Sequence, residues 1–359
     1  MHDASRGHGD SCAPRSNWKR DELVARILRR WRELTGGGLV ADKDRRTLVA
    51  CSAGADSVAL AFSLAQIPGS CVLAHVRHDI RPSSQTDAEA SHVADLSQRW
   101  GVPFVHGHIE VRDKPHNLEA NARMARYQLL GRLAEENDCP YIATGHHADD
   151  QLETLLMSLM RGSGLSGMAG MRPKCPIPIG GSHLLRPMLD VRREEIEDLL
   201  RRVGLTWHED PTNADTGFTR NRIRHELLPV LRAFQPDFAV RASNWAQDLQ
   251  ATHHYLKTQV DRVIERGKRQ GQCIEWERAD LREEHGIILG LLPHRYVEVA
   301  LARAGLDTLT RSAINDWAKS LKSQATDPTV HRIGPIVCYL DAHHVRFEPA
   351  RAGEGEKGH

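Results

Sequence analysis

The chain has 359 residues, enough for two domains or for one domain with an extension. Its 40% hydrophobic and 26% charged content are ordinary for a globular protein, and a formal net charge of +1 means that any basic surface is local. Seven scattered cysteines without a C-x-x-C pair speak against a zinc ribbon or a disulfide scaffold, and the lack of an apolar run near ~20 residues speaks against a transmembrane helix.

Residues 1–17 are polar, have no apolar core for a signal peptide, and read as a disordered tail; the expected location is the cytoplasm. From Trp18 to Trp31, the apolar residues Leu23, Val24, Ile27, Leu28 and Trp31 have the spacing of an amphipathic helix, closed by three glycines at 36–38. Next comes LVACSAGADS, Leu48 to Ser57: a short apolar run, a small-residue turn, then a helical pattern. A buried parallel strand passes in this way into a phosphate-binding loop and a helix, whose first amides and dipole favour an anion. Gly54 is expected to supply the tight turn, and Ser52 and Ser57 offer hydroxyls. No Gly-Lys-Ser/Thr follows, so the loop is not of the Walker type. A plain strand-to-helix turn is an equal reading of this stretch alone.

Further strands are predicted at Cys71–Val76, Pro103–Ile109 and Tyr141–Gly145, with helices between them at Ser57–Gln66, Ser84–Trp100 and Asn117–Asn137. The alternation predicts an α/β fold with a parallel sheet covered on both faces, and ligands bind such sheets at the carboxyl ends of the strands. Each polar motif falls at such an end. His75, His78 and Arg81 follow the second strand; the histidines read as loop residues, Arg81 as a phosphate or substrate contact. Asn117 is a plausible N-cap ahead of Arg123, with Met124, Tyr127 and Leu130 expected on the buried face. After the fourth strand, His146 stands before Asp149, Asp150 and Glu153, which share a helix face at i,i+3 and i,i+4 spacing. Oxygen ligands of this kind suit Mg²⁺ bound with nucleotide phosphates, although an acidic helix start is the blander account. The glycines at 162, 164, 167 and 170 read as a mobile loop. Arg220, Arg222 and Arg224 have guanidinium forks that fit phosphate oxygens. From residue 233 onward, helical stretches lead to a β-like tail at Ile336–Phe347.

The string S-A-G-A-D-S resembles the S-G-G-x-D-S loop of the PP-loop family, the N-type ATP pyrophosphatases, with Ala53 where that family has its first glycine. An alanine there is tolerable if its φ is negative. HHADDQLETLLMSLMRGSGLSG, LLRPMLDVRREEIEDLL and DPTNADTGFTRNRIRHELLPVL resemble, in order, the motifs of the tRNA(Ile)-lysidine synthetase branch of that family. The resemblance covers about residues 48–231. It implies a Rossmann-like ATP pyrophosphatase domain over 18–232 and a mainly helical tRNA-binding domain over 233–350; the polar, glycine-rich composition of 351–359 reads as a disordered end. It implies ATP and Mg²⁺ as cofactors, free lysine and an isoleucine tRNA with a CAU anticodon as partners, and lysidine as product; a homodimer is left open. Ser52, Ala53, Gly54, Ala55, Asp56, Ser57 and Arg81 are then expected to bind ATP. Asp56, Asp149, Asp150 and Glu153 are expected to hold the metal, and Asp56, Arg123, His146, Glu153 and Arg222 to carry the catalysis. Two rivals are a PP-loop tRNA 2-thiolation enzyme, for which no suitably spaced cysteine pair is present, and a non-catalytic tRNA-binding relic.

Overall fold

A computed structural model describes residues 18–79, 83–110, 118–177, 181–209, 219–301 and 309–350. Arg81, Asn117, the 210–218 part of the last motif and both expected tails lie outside the described residues. The chain folds as two compact units, Met1–Leu249 and Gln250–His359.

The first unit opens with helix α1 (Glu22–Leu34), capped by Asp21, whose carboxylate accepts from the amides of Leu23 and Val24 at 3.0 and 3.3 Å. Its apolar stripe is buried as expected, and Trp31 Nε1 donates to Thr47 Oγ1 at 3.0 Å, fixing the helix to the first strand. Strands β1 (Thr47–Ala50), β2 (Cys71–His78), β3 (Phe104–Ile109), β4 (Tyr141–Ala143), β5 (Lys174–Pro176) and β6 (His183–Leu185) form one sheet in the order β3-β2-β1-β4-β6-β5. All pairings are parallel except β5 with β6. Leu48 and Val49 are both fully buried but belong to opposite core layers, as expected for a strand covered on both faces. Helices α1, α2 (Ala55–Ala65), α3 (Ser83–Trp100) and α7 (Arg193–Arg202) contribute to one layer, and α4 (Leu118–Glu136) covers the other. The layer under α4 is built from Ala122, Leu129, Leu130, Leu133 and Ala134, whereas Met124, expected inside, is half exposed.

From β1 the chain winds outward to β2 and β3, then returns to place β4 on the other flank of β1. The order reverses between β1 and β4, so their carboxyl ends open a crevice between outgoing loops, the place where open α/β sheets bind ligands. Both principal motifs leave the sheet there. Helix α5 (Ala148–Met160) follows β4, the short α6 (Leu165–Met168) follows it, and α8 (Thr219–Arg222), a π-helical turn over Ile223–Leu227 and α9 (Leu228–Phe234) run on toward α10 (Phe238–Arg266). The division between the units falls within α10.

The second unit holds α11 (Arg278–Glu283), α12 (Gly286–Ala300) and α13 (Arg311–Lys322) with an antiparallel sheet of β7 (Lys268–Gln270), β8 (Cys273–Glu277), β9 (Thr329–Ile333), β10 (Ile336–Leu340) and β11 (His344–Pro349), in the order β7-β8-β11-β10-β9. Phe347 lies at its centre, with Trp276, Tyr296 and Trp317 meeting its ring edge-on at 5.2–5.4 Å between centroids. The sheet is larger than the predicted tail: β7 is three exposed residues with no apolar alternation to reveal it. Among the described residues, no helix is long and apolar enough to cross a membrane.

Candidate active site

The bend after β1 is made by Ala53, at φ 65°, not by Gly54, which caps α2 with an ordinary φ of −75°. This corrects both the expected position of the turn and the condition that φ at Ala53 be negative. Ser57, expected to face a ligand, lines the smaller of the two cavities at the crevice and also braces the loop. Its hydroxyl donates to the Gly54 carbonyl at 2.9 Å and accepts from the Ser52 amide at 3.1 Å. The Ala53 carbonyl accepts from the His208 amide at 2.9 Å, and His75 Nδ1 donates to the Cys51 carbonyl at 2.9 Å. The loop is thus tied on three sides, leaving Ser52, Gly54, Ala55 and Asp56 along the crevice.

Gly145 explains how the second motif reaches the first. A Cβ there would lie 2.8–2.9 Å from the Asp56 carbonyl group and the Ser57 amide, so only glycine permits the end of β4 to lie against the start of α2. Two residues on, His147 begins α5. Its ring nitrogens lie 3.6 Å from Asp56, 3.5 Å from Asp149 and 3.5 Å from Asp150. Burial opposes its charge, but Asp150, Asp56 and Asp149 outweigh burial and raise its pKa to about 9. An Asp149 amide 3.3 Å from Nδ1 is the capping geometry of a neutral ring; the charged ring donates to the Asp149 carboxylate instead.

The carboxylates expected to share a metal have different surroundings. Glu153 is fully buried and pairs with Arg220 at 2.7 Å and Arg224 at 2.6 Å. Asp149 pairs with Arg232 at 2.8 Å, and Asp150 with both Arg220 and Arg224 at 3.3 and 3.1 Å. Burial pushes Asp149 and Asp150 up, but the positive groups overcome it. His147 and Arg232 hold Asp149 well below the usual carboxylate range, and His147 and Arg220 bring Asp150 down to about 2. Asp56 differs: burial raises its pKa, and its Oδ1 is buried without a hydrogen-bond partner. His146 bonds to the Thr144 hydroxyl at 2.8 Å and is driven down to about 3 by burial, so its ring is neutral. Among the described residues, no three His, Cys, Asp or Glu side chains converge into a metal cage.

Two cavities meet at Ser52, Gly54, Asp56, Glu89, Asp150 and Arg224. The larger, about 850 Å³, adds His147, Asp149, Glu153, Arg193, Trp207, His208 and Arg232. The smaller, about 440 Å³, adds Ser57, His75, Arg123, Tyr127, His146 and Arg220. Of the residues expected from the sequence, Ser52, Gly54, Ala55, Asp56, Ser57, Arg123, His146, Asp149, Asp150 and Glu153 line one or both, with Ala53 buried beneath them. Arg222 lines neither; it is exposed and pairs with Glu226 at 3.2 Å. His147, Arg193, Arg232 and His208 were not singled out in the sequence. The signal for His147 was its place directly before an acidic helix start.

Residues 24–231 match the PP-loop domain family. The chain is 38% identical over 239 residues to a tRNA(Ile)-lysidine synthase of Nostoc sp., covering 65% of this chain and 66% of that one. It is 37% identical over 220 residues to a tRNA(Ile)-lysidine synthase of Solibacter usitatus, covering 61% and 48%. The chain therefore spans about half to two thirds of the length of these curated relatives. Its fold is similar to that of a U34-tRNA thiolase with a [4Fe-4S] cluster from Methanococcus maripaludis, with a TM-score of 0.50 at 17% identity over 64% of this chain and 80% of that one.

Proposed function

The chain belongs to the PP-loop domain family, and from that premise we propose that it joins free lysine to the wobble cytidine of an isoleucine tRNA with a CAU anticodon, consuming ATP. Cytosine O2 attacks the α-phosphorus, the bond to the bridging oxygen breaks, and pyrophosphate leaves. The lysine ε-amine then attacks C2, the C2–O2 bond breaks, AMP leaves with that oxygen, and the amine loses its proton.

The observation that carries this reading is Asp56: a partly exposed carboxylate one residue into the helix that opens the crevice, whose Oδ1 makes no hydrogen bond and lies 3.6 Å from His147, facing two arginine-paired acids. The amides at the start of α2 and the Arg220 and Arg224 guanidiniums suit charge developing on the phosphates. Mg²⁺ typically takes one or two carboxylates and fills its remaining positions with water and phosphate oxygens, so Asp56 is the residue that would hold it and no protein cage is needed. When bound, the ion would neutralise phosphate charge. Arg123, half stacked on Tyr127 at 5.3 Å, would bind the nucleotide part of the RNA. His146, neutral at physiological pH, would orient by hydrogen bonding; of the carboxylates around His147, only Asp56 has a raised pKa and would be the one to receive the lysine proton. Arg222, on the exposed face of its helix, and the second unit would contact tRNA outside the reacting centre. Sulfur transfer is disfavoured, because Cys51, which reaches the smaller cavity, is buried with its thiol pushed up in pKa.

Incubation with the tRNA transcript, ATP, Mg²⁺ and labelled lysine, followed by nucleoside analysis, should yield lysidine. Asp56→Asn should abolish tRNA-dependent pyrophosphate release, by at least about a hundredfold, while tRNA binding stays nearly unchanged. Equal turnover by the two proteins would refute the role given to Asp56.

A further inference from the structure

The bend after β1 is held by a segment far from it in sequence. After α7 the chain turns at Gly204, and Leu205 is buried in the core with its amide donating to the Leu200 carbonyl at 2.9 Å. Residues 205–209 then run as a strap to the loop. Trp207 packs against the same core, and the His208 amide donates to the Ala53 carbonyl at 2.9 Å. Trp207, His208 and Glu209 also line the larger cavity. Between these anchors the strap is held from α3 by His92. Its Nε2 lies 3.1 Å from the Thr206 carbonyl, an acceptor only, so Nε2 carries a proton and donates it. Its ring meets the His208 ring at 5.0 Å between centroids. His92 thus contacts the residues on either side of Trp207, yet it lines neither cavity and the proposed chemistry leaves it unused.

The tie matters because of where it ends. Ala53 has a positive φ, and such a conformation persists only where the surroundings over-determine it. Its peptide bond to Gly54 is trans, so the Gly54 N–H points opposite to the Ala53 carbonyl. Holding that carbonyl against the strap therefore fixes the direction of the Gly54 amide, and Gly54 lines both cavities. Amides held in fixed directions are what a loop offers to an anion. We infer that His92 is a positioning residue for nucleotide phosphates: it holds the strap, the strap holds the Ala53 carbonyl, and the loop amides are set before ATP arrives. The inference rests on the proposed function only in placing the ATP phosphates in this loop.

The test compares the wild type with two variants of the full chain. His92→Phe keeps a ring beside His208 and removes the N–H; His92→Gln places an amide N–H at similar reach. Calorimetric titration with ATP and Mg²⁺ should show binding weakened by about three- to tenfold in the phenylalanine variant and restored to within about twofold of the wild type by glutamine. In tRNA-dependent pyrophosphate release, the KM for ATP should rise by the same factor while kcat stays within about twofold, because a set loop serves bound ATP before and during the reaction alike. Urea unfolding confirms that both variants are folded under assay conditions, and His92→Leu replaces the phenylalanine variant if that one is not. The inference is overturned if the phenylalanine variant binds ATP as tightly as the wild type, if the glutamine variant is as weak as the phenylalanine one, or if kcat falls while KM does not move. Nucleoside analysis separates the two readings. Lysidine formed by a phenylalanine variant with unchanged ATP affinity refutes the role of His92 alone, whereas the expected ATP effects without lysidine refute the proposed reaction and leave that role standing.

Discussion

At Ala53 the backbone turns through the left-handed region, where a β-carbon crowds the following carbonyl at a cost of about 1–2 kcal/mol relative to glycine. Two terms oppose a return to glycine. The unfolded chain would gain about 0.5–1 kcal/mol of entropy, and a fully buried methyl worth roughly 0.8 kcal/mol would be lost. The terms nearly cancel, which accounts physically for an alanine in this bend. Ala53→Gly should therefore shift the unfolding free energy by less than about 1 kcal/mol in urea, whereas Ala53→Val, branched at the crowded carbon, should lose at least about 2 kcal/mol. A glycine variant as damaged as the valine one would mean that methyl packing governs this position. The loop's identity was legible in its run of small residues. Which of Ala53, Gly54 and Ala55 takes the unusual dihedral was not, because residue size alone does not separate three small neighbours, and the tie from Ala53 to His208 comes from a segment more than a hundred residues away.

On the scale of the element, the strand–loop–helix rhythm could be read to within a few residues because buried parallel strands are short and apolar. The arginine run could not be read as a simple alternation. In the structure it begins as helix and passes into a π turn, so Arg220 and Arg224 share the face toward Glu153 while Arg222 turns outward to Glu226. The i,i+4 spacing of Arg220 and Arg224 was the available clue. Breaking a buried pair typically costs 3–5 kcal/mol because the abandoned charge stays in the interior. Arg224→Ala leaves Arg220 on the fully buried Glu153, so a loss of about 2 kcal/mol is expected, measured as a fall in the urea midpoint. Arg222→Ala should leave that midpoint in place, and any effect should appear in tRNA affinity. Equal destabilisation by the two substitutions would contradict the division of the run into a buried and an outward face.

For the molecule as a whole, the charge cluster at the switch point makes stability depend on pH. The α/β class and the convergence of motifs at strand ends were legible in the chain; the sign of the charge at the centre was not, since the histidine stays a cation at neutral pH only once the fold brings Asp56, Asp149 and Asp150 against it, which outweighs the effect of burial. The folded His147 has its pKa raised from 6.5 to about 9, so its contribution is complete below about pH 6.5 and is lost as pH rises toward 9. Asp150, depressed from 3.8 to about 2, contributes above about pH 4 and loses that contribution as pH falls toward 2. Asp56 is raised, so its ionisation opposes folding as pH climbs from the acid side, which blunts the gain from Asp150. A plateau is expected between about pH 4 and 6.5, followed by an alkaline decline of up to about 3 kcal/mol by pH 9. Urea unfolding of the wild type and of His147→Gln at pH 6 and pH 9 checks this. The wild type should weaken at the higher pH, while the glutamine variant, with no proton to lose there, should be weaker at pH 6 but flat between the two. A wild type equally stable at both would mean that the ring is neutral in the fold and that the three carboxylates are held together by the arginines alone.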